Sequence, residues 1–183
     1  MSRLEGHGKI TLHLDDHGEL TDARFHVIEF RGFEKFLQGR KVWEAPRITT
    51  RACGICPISH HLASAKATDE LHNVEIPHAA KLYRELHHMA QTIHSHALHF
   101  FFLASPDFLF PDDAAKRNVL GILEANPTLA KQAIELRKMG QEINHILGGK
   151  AIHPVTSIPG GVSKPIEQDE LQKIRQNLER ALE

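Results

Sequence analysis

The sequence predicts an α+β fold, in which an N-terminal β-hairpin or small sheet precedes a mostly helical bundle. Ile10, Leu12 and Leu14 alternate with polar residues, which is typical of a half-buried strand. Further along, apolar side chains recur at helical spacing in two long segments, so we predict two amphipathic helices. The stripes contain Leu82, Leu86, Ala90, Ile93 and Ala97 in the first segment, and Leu129, Ala133, Leu136, Gly140, Ile143 and Leu147 in the second.

Residues 6–30 predict a strand, a turn and a second strand. Turn-forming residues lie at 15–18, and Ala23, Phe25 and Val27 alternate with polar neighbours on the returning strand. The alternation on both sides of one turn favours an antiparallel hairpin.

The remaining boundaries follow from proline, glycine and capping signals. Pro106 and Pro111 are expected to break the helical pattern. The predicted order is a short helix over 33–37, a cysteine-bearing loop from Pro46, a helix over 59–71, helices from Pro77 to about Leu103 and from Asn126-Pro127 to Gly148-Gly149, a loop over 150–166 and a last helix through Ile174, Leu178 and Leu182. This order divides the chain into a β-rich start over 1–50 and a cysteine-motif loop with a helical bundle over 51–183.

The composition excludes several classes of protein. The chain has 183 residues, enough for one ordinary domain or slightly more, and its formal net charge of −1 gives no electrostatic basis for binding nucleic acid. No apolar run reaches the roughly 20 residues that a membrane-spanning helix needs. Two cysteines in a close pair do not form the disulfide framework of a small secreted protein. We therefore expect a cytoplasmic protein with reduced thiols.

The segment around the two cysteines carries the most specific chemical signal. Cys53 and Cys56 stand three positions apart, a spacing at which two thiolates can bind one soft or borderline metal ion. Arg51 is expected to favour the thiolate form, and Gly54 is expected to permit a sharp turn between the ligands. His60 can donate a hydrogen bond to a metal-bound sulfur and so tune its electron density.

Three other interpretations of the cysteine pair remain open from the residues alone. The pair can be a dithiol redox motif, although thioredoxin-like proteins need a βαβ unit that the pattern does not show. Cys53, Cys56 and His60 can provide most of a zinc site, which would need a fourth ligand. The cysteines can also be buried structural residues. Five histidines between 87 and 99 are expected to be ordinary, because a helix spreads them over several faces.

Several motifs lie in the same order and at the same separations as in one known family. They resemble the N-terminal part of the large subunit of nickel–iron hydrogenases over nearly the whole chain, and the later motifs are most similar to the cytoplasmic, NAD-linked branch. The motifs are Arg3-Leu4-Glu5-Gly6-His7, Phe30-Arg31-Gly32-Phe33-Glu34, Arg51-Ala52-Cys53-Gly54-Ile55-Cys56 with His60, Arg117-Asn118-Val119-Leu120-Gly121, Glu124-Ala125-Asn126-Pro127 and Ser157-Ile158-Pro159-Gly160-Gly161.

The resemblance implies a nickel–iron centre, with diatomic ligands on the iron, and a nearby magnesium ion. It gives Cys53 as a terminal thiolate on nickel, Cys56 as the thiolate that bridges nickel and iron, and His60 as a hydrogen-bond donor to the bridging sulfur. Glu34 is similar to a magnesium ligand, a role that suits a carboxylate. Glu5 is expected to relay protons.

The resemblance also implies a function and a set of partners. The chain looks like the N-terminal portion, residues 1–183, of a catalytic subunit that oxidises hydrogen reversibly to protons and electrons, with Arg51 and His60 contacting the cofactor. The implied partners are the missing C-terminal part of the large subunit, a small subunit with iron–sulfur clusters and, in the NAD-linked branch, a diaphorase module.

The sequence departs from the family at one decisive point. The family's centre takes four cysteines, and no cysteine follows Cys56 in this chain. We therefore predict that the chain is inactive alone and exposes apolar surface where the missing part would pack.

Two functions of other classes stay open. A chain with half of the cysteine ligands can be a non-catalytic remnant that carries metal, assists assembly or docks a partner. It can also be a small zinc-binding protein that uses Cys53, Cys56 and His60. Relatives in respiratory complex I lack the cysteine pair, so its presence argues against that group.

Overall fold

The structure is a computed structural model that describes residues 3–182. The chain divides into two compact units, Met1–Gly32 and Phe33–Glu183. The first unit holds a two-stranded antiparallel sheet, and the second holds the helices and a second, very short hairpin. The predicted α+β class is confirmed. The strands of the first unit end at Val27, and helices begin at Phe33.

The hairpin of the first unit lies where the alternating pattern predicts it. It consists of β1 (Gly8–Leu14) and β2 (Leu20–Val27), with Ile10 opposite Phe25 in the antiparallel register. The expectation that these strands are half-buried is wrong, since Ile10 is 51% exposed and Phe25 is 61% exposed. A two-stranded hairpin has no second layer of its own that could cover one of its faces.

The second unit is built from helices joined by short irregular segments. Its α-helices are α1 (Phe33–Leu37), α2 (Ala45–Thr49), α3 (Pro57–Leu71), α4 (His78–Leu98), α5 (Ser105–Leu109), α6 (Val119–Ala125), α7 (Pro127–Gly148) and α8 (Gln168–Leu182). Two 3-10 turns, Val42–Glu44 and Thr50–Ala52, and one π-helical segment, His99–Ala104, interrupt them. The short hairpin consists of β3 (Ser157–Ile158) and β4 (Gly161–Val162).

Two predicted effects of proline differ from the structure. Pro46 lies buried in α2 instead of opening the cysteine loop, because proline fits the first turn of a helix. Pro106 sits in the first turn of α5 for the same reason, so it does not break the helical path that continues α4 through the π-helical segment. That path ends at Leu109, close to the second predicted break at Pro111.

The sequence patterns predicted neither α6 nor the short hairpin. The hairpin lies within the segment over 150–166 that was predicted to be a loop. Helix α6 has only seven residues, too few for a clear apolar stripe. Its start is fixed by Asn118, whose side-chain oxygen accepts hydrogen bonds from the backbone N–H groups of Leu120 and Gly121.

Helices α4 and α7 pack side by side and form the centre of the second unit. The core between them contains Tyr83, Ala90, Ile143 and Leu147, joined by Ile174 of α8. The Tyr83 hydroxyl donates a hydrogen bond to the Leu147 carbonyl. Burial raises the pKa of Tyr83 to about 12, so this hydroxyl keeps its proton.

The backbones of α4 and α7 approach closely at Gly140. A Cβ atom there would lie 2.8 Å from the His94 nitrogen and 3.0 Å from the Ala90 oxygen. We expect Gly140→Ala to lower the free energy of unfolding by about 1 to 3 kcal/mol, because the two helices must separate. Urea unfolding measures the loss. The control is Gly54→Ala, where a Cβ meets nothing within 4 Å, and an unchanged stability of Gly140→Ala would contradict the close approach.

A buried ion pair attaches the short hairpin to the helices. Asp69 of α3 and Arg84 of α4 are joined by a 2.6 Å contact, and both side chains are at least 90% buried. Arg84 also donates hydrogen bonds to the carbonyls of Ile158 and Gly161, and Asp69 accepts one from the backbone N–H of Gly160. These contacts hold the Ser157-to-Gly161 motif in place.

No helix within residues 3–182 is both long enough and apolar enough to cross a membrane.

Candidate metal centre

The cysteine loop lies between the 3-10 turn that ends at Ala52 and the start of α3. Cys53 has an extended backbone, and Cys56 occupies the N-cap position of α3. Pro57 follows as the first residue of the helix, where its fixed φ and missing N–H are suited to the helix start. This proline explains why the second cysteine lies at the helix boundary and the first one lies outside it.

The loop brings three possible metal ligands together. One ligand atom from each of Cys53, Cys56 and His60 lies within 4.8 Å of the other two, and all three residues are half-buried. Cys56 and His60 are one helical turn apart, which places them on the same side of α3. In the part of the chain that the structure describes, no other group of three or more His, Cys, Asp or Glu residues converges in this way.

A backbone hydrogen bond and the end of a helix lie at the two cysteines. The backbone N–H of Cys56 donates to the Cys53 sulfur at a distance of 3.3 Å. Cys56 itself lies at the N-terminal end of a 15-residue helix, where the helix dipole stabilises an anion. Both features suit thiolates that bind a cation.

A buried histidine holds α3, the helix that follows the cysteine loop, in place. His61, next to His60, is fully buried and joins two distant segments. One of its ring nitrogens donates to the Pro46 carbonyl at 2.7 Å, and the other accepts from the Ser157 N–H at 2.9 Å. This pairing specifies one neutral tautomer, and burial lowers the pKa of His61.

Two more hydrogen bonds hold the loop and its flanks, and sequence reasoning missed both. The side-chain amide of Gln91 donates to the Ile55 carbonyl at 3.0 Å. The ring of His153 donates to the Thr50 carbonyl, also at 3.0 Å. No local pattern around Gln91 or His153 indicates these contacts, because each joins segments that are far apart in sequence.

The other predicted site residues stand outside the converging group. Arg51 is exposed in the turn before Cys53, and Glu34 is exposed in the first turn of α1. Glu5 is exposed within the first unit. The chain bends at Gly54 as expected, but the bend does not require glycine, because its φ lies outside the left-handed region and a side chain would find open space there.

The five histidines between 87 and 99 are spread over buried and exposed faces of the helix, as expected. His87 and His94 are buried, whereas His88, His96 and His99 are exposed. Burial lowers the pKa of His94, and it lowers the pKa of His87 to about 3. Neither ring nitrogen of His87 has a hydrogen-bond partner among the described residues.

The low pKa of His87 predicts how the free energy of unfolding depends on pH. The unfolded chain binds more protons than the folded chain between pH 6.5 and about 3, so stability must fall as the pH drops through that window. The contribution of His87 approaches about 1.4 kcal/mol per pH unit. We expect His87→Leu to reduce the slope of unfolding free energy against pH, measured by urea titration. The exposed neighbour supplies the control, His88→Leu, and a native slope in His87→Leu would contradict the assignment.

The donor set fits a soft or borderline transition metal. Two thiolates and an imidazole are ligands that nickel, iron and zinc accept, whereas a hard cation would prefer oxygen. Three donors leave at least one position of a four-coordinate metal ion unfilled.

Comparison with known proteins decides among the candidate families. Residues 31–132 match the nickel-dependent hydrogenase family, and residues 1–30 match a HoxL-like family. The chain belongs to the nickel-dependent hydrogenase family. The predicted resemblance is therefore confirmed, and the cysteine loop lies within the part that matches the hydrogenases.

Two hydrogenases illustrate the similarity. The chain is 55% identical to a subunit of the vhc F420-non-reducing hydrogenase of Methanococcus voltae, over 97% of this chain and 39% of that subunit. It is 48% identical to the beta subunit of the NAD-reducing hydrogenase HoxS of Cupriavidus necator, over 89% of this chain and 35% of that subunit. The similarity thus extends beyond the NAD-linked branch.

Solved hydrogenase structures share the fold. A crystal structure of an NAD+-reducing [NiFe]-hydrogenase in the H2-reduced state matches 99% of this chain and 42% of its own, with a TM-score of 0.86 and 48% identity. The Ni-Fe-Se hydrogenase of D. vulgaris Hildenborough matches with a TM-score of 0.80 and 30% identity, over 98% and 39% of the two chains. The chain spans about two fifths of the length of these hydrogenases.

Proposed function

We propose that this chain is the N-terminal part of the catalytic subunit of a nickel–iron hydrogenase, which oxidises hydrogen reversibly to protons and electrons. The convergence of Cys53, Cys56 and His60 within 4.8 Å supports this function most directly. It lies in the segment that matches the hydrogenase family. The chain contributes half of the cysteine ligands and is inactive until the other half is present.

The metal roles are those that the family resemblance implies. Cys53 would hold nickel, Cys56 would hold both nickel and iron, and His60 would donate a hydrogen bond to the Cys56 sulfur. When bound, the nickel–iron pair with its diatomic ligands polarises the hydrogen molecule. The protein holds the two sulfurs at a fixed spacing, and the helix dipole of α3 offsets their negative charge.

Two carboxylates and one arginine complete the proposal. Glu34 binds magnesium directly or through water, since oxygen is the ligand that this hard cation prefers. Glu5 relays the proton that leaves the centre. Arg51 contacts the cofactor from the turn before Cys53. All three are exposed in this chain, and we propose that the remainder of the catalytic subunit covers them.

Exposed apolar side chains support a missing partner. Trp43, Leu71, Met89 and Phe108 are all exposed in the second unit. Exposed apolar surface is typical of sites where a partner binds. We propose that they pack against a small subunit that carries iron–sulfur clusters and against the C-terminal part of the large subunit. A NAD-linked diaphorase module and a cytoplasmic location complete this assignment.

Co-expression tests the function. The 183-residue chain is produced alone and together with the small subunit of a homologous hydrogenase and the remainder of its large subunit. We expect one nickel and one iron per complex, with hydrogen-dependent dye reduction, and neither iron nor dye reduction in the chain alone. A complex that assembles but contains neither metal would overturn the proposal and favour a non-catalytic remnant.

A zinc protein is the second candidate, because three ligands of a tetrahedral site already converge within this chain. Zinc retained at one ion per chain after purification in the presence of nickel, with no iron on co-expression, would favour this alternative. Loss of zinc to a weak chelator would count against it.

A further inference from the structure

We propose that Gln91 is a positioning residue that aims a backbone N–H group at the Cys53 sulfur. It does so through a single peptide unit, the one between Ile55 and Cys56. The geometry stands by itself, whereas its consequence for a bound metal rests on the proposed function.

The two hydrogen bonds that define this arrangement lie on opposite edges of one peptide plane. Gln91 donates from its Nε2 atom to the Ile55 oxygen at 3.0 Å, and the Cys56 nitrogen donates to the Cys53 sulfur at 3.3 Å. The carbonyl and N–H of a trans peptide unit are coplanar and point in opposite directions. A group that fixes the carbonyl therefore also fixes the direction of the N–H.

The orientation of the Gln91 amide is determined by its surroundings. The residue is only 3% exposed, and its Oε1 atom has no hydrogen-bond partner among the described residues. Turning the amide over would place this oxygen 3.0 Å from the Ile55 oxygen, two acceptors facing each other. The amide nitrogen therefore faces the cysteine loop.

Helix α4 gives the donor a rigid base. Gln91 follows Ala90, whose carbonyl lies against Gly140 of α7 where the two helices meet. The core of the second unit thus sets the position of the amide, and the amide transmits that position to the cysteine loop. Donation to the Ile55 carbonyl also polarises the peptide and strengthens its N–H as a donor.

The consequence concerns the electron density of a metal-bound sulfur. An N–H group that donates to a metal thiolate withdraws electron density from it and tunes the metal. Gln91 lies 36 positions from Ile55, and its amide nitrogen donates to a backbone carbonyl of the loop instead of to a sulfur. Its role is therefore positioning, exerted through the loop backbone.

The test compares Gln91→Met with a matched control, Asn144→Leu. Methionine keeps the length of the side chain and removes the donor. Asn144 is an equally buried amide on α7, outside the set of hydrogen bonds that hold the loop among the described residues. We expect the Cys56 amide to exchange with deuterium about fivefold faster in Gln91→Met, the equivalent of losing about 1 kcal/mol of hydrogen bonding. Its NMR resonance should also move, and the control should change neither readout.

A second readout uses Co2+ alone as the metal probe. In Gln91→Met the thiolate-to-cobalt charge-transfer band should shift to longer wavelength, because a sulfur without its N–H donor releases electrons more easily. A folded Gln91→Met variant with native Cys56 exchange would overturn the positioning role. If native chain binds no Co2+ while the exchange effect persists, the proposed metal function fails and the positioning role stands. Circular dichroism confirms folding, and Gln91→Asn, one methylene too short to reach Ile55, replaces any Gln91→Met protein that unfolds.

Discussion

Replacing Asp69 with alanine is expected to lower the free energy of unfolding by about 3 to 5 kcal/mol, enough to unfold most of a marginally stable chain. The change leaves the guanidinium of Arg84 buried without its partner, which is far more costly than the loss of one contact. It also removes the acceptor for the Gly160 N–H. Urea unfolding at neutral pH measures the loss.

A control variant and a double variant help to interpret this result. Glu135 forms an exposed pair with Lys131, so Glu135→Ala should change stability by less than about 0.5 kcal/mol. The double variant Asp69→Leu with Arg84→Met leaves no buried charge unpaired and should recover part of the lost stability. Recovery should be incomplete, because three backbone groups of the short hairpin lose their partners. A single Asp69→Ala variant as stable as the native chain would show that Arg84 finds water or another partner.

Replacing Cys56 with serine should weaken Ni2+ binding by at least about 100-fold, more than the loss of an outer contact to a metal ligand. A serine hydroxyl is a hard donor that keeps its proton at neutral pH, whereas the thiolate is soft and anionic. Anaerobic titration of the reduced chain, followed by its sulfur-to-nickel charge-transfer band, measures the affinity. Cys53→Ser should behave in the same way.

Variants of His60 show whether its ring binds the metal or only donates a hydrogen bond to a sulfur. His60→Gln should cost about 10- to 100-fold if His60 only donates to a sulfur, and more if it binds the metal. The exposed His88 provides the control, His88→Gln, which should bind Ni2+ like the native chain. Native Ni2+ affinity in Cys56→Ser would show that this cysteine does not bind the metal.

The patterns that predicted the fold correctly are the long or regular ones. The stripes of α4 and α7 extend over about five to six turns, and the alternation in β1 and β2 predicts a hairpin that the structure confirms. Short elements such as α6 and β3–β4 escape this reasoning. The π-helical segment His99–Ala104 escapes it as well, because its residues suit an ordinary α-helix and only the hydrogen-bond pattern differs.

Burial and support of the site were not predictable from the sequence. Alternation told which residues share a face of the hairpin, but whether that face is covered depends on chain segments elsewhere. The cysteine pair was found from its spacing and neighbours. Gln91 and His61 were not, because their partners lie 36 and up to 96 positions away and a lone amide or imidazole carries no signal.

The hydrogen bonds around the cysteine loop affect how a metal ion binds to it. Gln91 holds Ile55, His153 holds Thr50, and the Thr49 hydroxyl donates to the His60 carbonyl. Since protein contacts hold this loop in place, we expect the chain to fold without a metal ion, unlike a zinc finger. A chelator should therefore remove the ion without unfolding the helices. The metal-free chain should then bind a new ion without refolding.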